Sequence, residues 1–163
     1  VGPYLDSLAD VASFCVAPAF LVVTVTRNAG LFGDPTYRYV IVAVGAIFVA
    51  MGVMRLALYT AYDTEDKSTE GVPSTLAGTI LAVAVLAGVG GTVLFLGMGV
   101  FAALMVSRVP YPDLRIRDAF IMGFVQALAV LLPGVWHSLF PRVLLLGALG
   151  YLVFGPIVYP RAE

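Results

Sequence analysis

Two aspartates, Asp6 and Asp10, stand four residues apart at the start of a long apolar run, with Gly2 four residues before the first. On a helix, positions four apart share a face, so Gly2, Asp6 and Asp10 form one stripe with a carboxylate about every 6 Å along the axis. Ser13 lies close to that stripe by the same count, and Ser7 stands beside it. Like charges at this spacing destabilise a helix. Acids within or beside hydrocarbon are costly and usually face a bundle interior or a wet cavity. A bland account is available for Asp6, as an acid interacting with a helix dipole. Asp10 lies deeper in the run, where that account weakens. A hard divalent cation would compensate both charges, and Mg²⁺ commonly works with substrate phosphates. Two acids do not make a full cage. Asp63, Glu65 and Asp66 fall in a polar loop, and Asp34 falls at the opposite end of the first hairpin.

The elements that must position these acids are set by composition. The chain is 61% hydrophobic and 12% charged over 163 residues, against about 45–50% apolar and about 25% charged for soluble domains. Such a chain belongs in a membrane. Its net charge of −1 offers no basic field for nucleic acid. The single cysteine, Cys15, excludes an internal disulfide and any multi-cysteine metal site. The sequence opens on Val1 without a signal peptide and reads as a piece of a longer chain.

Apolar runs and their punctuation predict spans near 5–26, 37–59, 75–88, 91–106, 119–132 and 143–158. Residues 75–106 as one helix would be about 48 Å long, against a hydrocarbon core of about 30 Å. Gly88-Val89-Gly90-Gly91 marks a hairpin near its middle, with a bent single helix as the alternative. Pro110 and Pro112 break the segment after it, and Pro133 and Gly134 end the fifth span. With six spans, Arg55, Lys67, Arg108, Arg115, Arg117 and Arg161 fall on the side of Asp6 and Asp10, and Arg27, Arg38 and Arg142 on the other. The excess of cations makes the acid side cytoplasmic.

The residues around the acids carry a resemblance. Gly2-x-x-x-Asp6-x-x-x-Asp10 is similar to the second half of the signature of the CDP-alcohol phosphotransferase family. That signature reads D-x-x-D-G-x-x-A-R, a short spacer, then G-x-x-x-D-x-x-x-D. Leu5 to Phe14 and Val16-Ala17-Pro18-Ala19 resemble the phosphatidylserine and archaetidylserine synthase branch, as do Glu70 to Gly78 and Leu104 to Pro112. Three departures stand out. The first half-motif is absent, Cys15 stands where the branch has Gly, and Met54 to Tyr59 match an Arg-Leu-Ala-Arg-Phe-Asn stretch only in part, with Arg55 the retained cation.

The resemblance implies an all-α, polytopic transmembrane bundle, a single domain over 1–163, with about six spans in this chain and about eight in the full-length protein. It implies transfer of a phosphatidyl or archaetidyl group from a CDP-activated lipid to the hydroxyl of L-serine, with release of CMP. Mg²⁺ or Mn²⁺ would be the cofactor. Asp6 would be a metal ligand, Asp10 a metal ligand and the general base, and Gly2 would admit the nucleotide close to the helix backbone. The partners implied are the CDP-activated lipid, L-serine, membrane lipids and a second copy in a homodimer, in the cell membrane.

Other residues have two readings each. Arg55 contacts phosphate or snorkels to the interface. Pro73 and Ser74 shape a substrate entrance or begin a helix with a hydroxyl cap. Arg108, Arg115 and Arg117 read as topology determinants or anionic-lipid contacts, Trp136 and His137 as an interfacial anchor, Cys15 as packing, and Gln126 as a bond between helices. Inositol phosphate or glycerol phosphate as acceptor is the nearest alternative. A transporter, a non-enzymatic membrane subunit and an inactive fragment are further ones.

Overall fold

The computed structural model describes residues 2–28, 36–61, 71–107 and 139–158, with 123, 124, 126, 127 and 131. The helices are α1 (Gly2–Asp10), α2 (Ala17–Asn28), α3 (Thr36–Ala61), α4 (Ser74–Leu86), α5 (Gly91–Met105) and α6 (Leu139–Val158). A π-helical turn, Val11–Val16, joins α1 to α2 without a break. No strand occurs among the described residues. Most of the expected span at 119–132 lies outside them, as do Asp34, the 62–70 loop, Arg108, Arg115, Arg117, Trp136, His137 and Arg161.

Two helices, Leu5–Asn28 through the π turn and Tyr37–Leu58, are long and apolar enough to cross a membrane. Large apolar side chains stand open around the bundle, among them Leu5, Phe20, Ile47, Leu96, Val100 and Leu146. A water-soluble fold cannot expose such a surface on nearly every helix. The chain is a helical membrane protein.

Glycine and proline set the helix ends. Pro73, with φ −55° and ψ 132°, holds the chain extended before α4. No side chain caps that helix, and Ser74 is its buried first residue, so the expected hydroxyl cap is replaced by a proline stop. At the other end Val89 N–H donates to the Ala84 carbonyl and Gly88 N–H to that of Val85, both at 3.0 Å. Gly88 has φ +75°. This is a Schellman closure, which needs a left-handed residue at that position. The apolar stretch too long for one crossing is therefore two helices.

The sequence pairs α2 with α3 as an antiparallel hairpin. A Cβ on Gly45 would lie 2.9 Å from the Val23 methyl, and one on Gly52 would meet Cys15. α5 lies against both of these helices, and α4 packs on α2, the π turn and α6. The core between them is Cys15, Val22, Phe48, Leu81, Leu94, Met98 and Met105. At one end of the bundle Thr26 Oγ1 donates to the Gly91 carbonyl at 3.3 Å. The acids lie at the other end.

The two left-handed glycines among the described residues make a controlled comparison. A Cβ on Gly88 meets nothing within 4 Å, whereas one on Gly71 (φ +81°) would lie 2.5 Å from the Met105 carbonyl oxygen and 3.0 Å from that of Ser107. Gly88→Ala should cost only the left-handed penalty, about 1–2 kcal/mol. Gly71→Ala adds a clash with backbone and should lower the thermal unfolding midpoint clearly more. Equal losses in the two variants would show that the Gly71 turn yields without cost.

Candidate active site

Asp6 and Asp10 lie on α1, with Asp6 exposed and Asp10 half-buried. Gly2, the first residue of α1, shares their face by spacing. Leu8, pointing elsewhere, is 65% exposed. The buried line of the following helix runs through Cys15, Ala19, Val22 and Thr26. The π turn connects these two registers. Its N–H to C=O bonds span five residues rather than four, which adds one residue to the turn and rotates everything before it. Counted back from Cys15 as an α-helix, Leu8 would fall on the buried line and Asp10 near the opposite side. The wider turn instead brings Ser7 and Asp10 to the edge of that line. It also carries exposed Ser13 away from Asp10, so the expected neighbour of the acid stripe is displaced.

The π turn is seated against α3 and α4. Cys15 is fully buried, with its sulfur so close to Gly52 that a Cβ there would clash with it. The Phe14 carbonyl lies so close to Gly78 that a Cβ there would clash with it. Because α3 runs antiparallel to α2, Arg55 lies one turn beyond Gly52 at the acid end. It is 8% exposed, and its Nη2 donates to the Gly71 carbonyl at 3.2 Å. Val72 N–H in turn donates to the Leu104 carbonyl at 3.2 Å. Ser107 Oγ donates to the same carbonyl at 2.7 Å. The structure thus gathers Asp10, Arg55 and the 71–74 turn at one end, and it makes Arg55 a buried tie rather than a snorkelling side chain.

Carboxylate oxygens are hard donors suited in kind to Mg²⁺ or Mn²⁺. In number they are incomplete, since among the described residues no three His, Cys, Asp or Glu side chains come together. Gly52, Gly78 and the π turn were not anticipated as parts of the site. The one signal in the sequence was the pair of glycines within otherwise well-formed apolar helices.

No family model matches the chain. Two curated proteins are similar to it. Archaetidylserine synthase of Methanothermobacter thermautotrophicus is 30% identical over 113 residues, covering 68% of this chain and 45% of that protein. CDP-diacylglycerol--serine O-phosphatidyltransferase of Helicobacter pylori is 36% identical over 125 residues, covering 70% of this chain and 49% of that protein. The Gly2, Asp6 and Asp10 spacing on α1 agrees with this similarity, and the two relatives support the phosphatidylserine synthase branch of the CDP-alcohol phosphotransferase family. The chain spans about half the length of the curated relatives it matches.

Proposed function

We propose that the full-length protein transfers a phosphatidyl or archaetidyl group from a CDP-activated lipid to the hydroxyl of L-serine and releases CMP, as part of phospholipid biosynthesis. The observation that carries this is the acid pair of the branch motif, on one helix face at one end of a membrane bundle. The names of the two relatives support serine as acceptor.

Asp10 takes the proton from the serine hydroxyl, whose oxygen forms the new bond to the lipid phosphorus. The bond from that phosphorus to the CMP oxygen breaks, and CMP leaves. Asp6 and Asp10 would hold a divalent ion, with further ligands from residues outside those described. An ion bound there would supply positive charge to offset that of the pyrophosphate. Gly2, lacking a Cβ, leaves room for the nucleotide beside the α1 backbone. Among the described residues, Arg55, tied to the 71–74 turn, is the cation at this end of the bundle that would contact the lipid phosphate. The acid end faces the cytoplasm, as the cation excess on that side supports, and the working unit is a homodimer in the cell membrane.

The test is an assay of full-length protein in mixed micelles with a CDP-diacyl or CDP-diether lipid, labelled serine and Mn²⁺ or Mg²⁺. CMP and a serine-containing lipid should appear together. Labelled inositol phosphate or glycerol phosphate consumed in place of serine would reassign the acceptor. Asp6→Asn should raise the divalent-ion concentration needed for the half-maximal rate, read by metal titration. An unshifted titration would remove Asp6 from the ligand set.

A further inference from the structure

The sharpest irregularity in the fold lies directly after the acid pair. Residues before Cys15 are turned by roughly 100°, one residue's worth of helix, relative to a continuous α-helix. The burial pattern records that rotation. Leu8 is 65% exposed, while Cys15, Ala19, Val22 and Thr26 form one buried line. Straightened to an α-helix, the same chain would place Leu8 over the bundle and turn Asp6 and Asp10 toward hydrocarbon, where ionised carboxylates are costly.

A π turn has poorer hydrogen-bond geometry than an α turn and persists where its surroundings hold it. Two contacts do so, one from α3 and one from α4. On α3, Gly52 leaves space beside the Cys15 sulfur, and a Cβ there would clash with that sulfur. On α4, Gly78 lies against the Phe14 carbonyl, carbonyl carbon and Cα, all backbone atoms of the π turn with no side chain to swing aside. Both glycines are buried within regular helix, where glycine costs about 1 kcal/mol relative to alanine. Neither has a positive φ, so close approach is what each supplies.

We propose that Gly52 and Gly78 are positioning residues for the acid pair: by admitting Cys15 and the Phe14 backbone they hold the π turn, and that turn brings Asp10 to the edge of the buried face instead of turning it toward lipid, with Asp6 exposed one helical turn before it. This rests on the reading of Asp10 as a reacting group. It adds that the direction of the acids is set by two glycines on other helices.

Four variants of the full-length protein, assayed for CMP release, metal titration and thermal unfolding, test it. Deletion of Ala12, an exposed residue of the π turn, removes the extra residue and restores α-helical register. It should leave a folded protein whose rate is lower by about 10²-fold, the scale for misplaced reacting groups. Gly52→Ala should lower the rate and raise the divalent-ion requirement. Gly52→Ala with Cys15→Ala should recover both, because the sulfur that the new methyl strikes is gone and the Cys15 Cβ is 3.4 Å away. A merely structural role would lower the unfolding midpoint without moving the metal titration. Full activity in the deletion variant, or no recovery in the double variant, overturns the proposal. Asp10→Asn separates the two layers. If it is inactive while the Ala12 deletion is fully active, only the positioning proposal falls. If Asp10→Asn is fully active, the catalytic reading beneath it falls.

Discussion

On the proposed function, full-length protein carrying Asp10→Asn should release CMP at least about 10²-fold more slowly than the parent, the lower range for loss of a positioned general base, and should unfold at the same temperature or slightly above it. The two effects have separate causes. Asparagine keeps the shape of the side chain but cannot take a proton from an alcohol and is a poorer ligand for a hard cation. The helix itself loses nothing, because a like charge four residues from Asp6 is removed. Half-burial makes the change cheap as well, since a neutral amide desolvates more easily than a carboxylate. The pair of measurements decides the matter. Lost rate at held stability assigns Asp10 to the chemistry, and undiminished CMP release removes it from the mechanism.

Arg55→Met should have the largest effect on stability among the site residues. The guanidinium is almost wholly covered and donates to the Gly71 carbonyl from the next element of the chain. Hydrogen bonds from charged donors contribute about 1.5–3 kcal/mol, and a loss of about that size is expected here. The Gly71 turn also rests on the Met105 and Ser107 carbonyls, and Val72 is bonded to Leu104. Loosening it should disturb the ends of α4 and α5 together. Arg55→Lys separates tie from ligand. Lysine retains the charge but not the planar fork. A lowered unfolding midpoint with unchanged KM for the CDP lipid would make Arg55 a tie alone. A raised KM in both variants adds contact with the lipid phosphate. An unfolding midpoint unchanged in both would refute the tie.

The acid pair was legible in the sequence because charge within an apolar run stands out, and its spacing fixed that both acids share a face. The direction of that face was not legible. It depends on the π turn, and nothing in Val11 to Val16 distinguishes a five-residue from a four-residue repeat, because the residues around it are nearly all apolar or small. Hydropathy patterning works in water, where one helix face is polar. In lipid every face is apolar, and contacts are marked by size instead. Gly52 and Gly78 are such marks, but a glycine reveals its partner only once the helices are placed. The hairpin at 87–90 was readable for the opposite reason: its closure is local, and Gly88 supplies the left-handed residue within the sequence itself. Arg55 shows the limit from another side. Its charge and place near a helix end were plain, yet its partner is a backbone carbonyl, which no residue type announces.

The bond from Thr26 to Gly91 gives the acid-bearing helix a second fixed point, roughly 24 Å along the axis from Asp10. With the Cys15 seat near one end and this bond near the other, a pivot or slide of the helix would break one of the two contacts. On the proposed function, a lipid donor and its acceptor would be brought to carboxylates carried at the free end of a helix that is fixed at these two points.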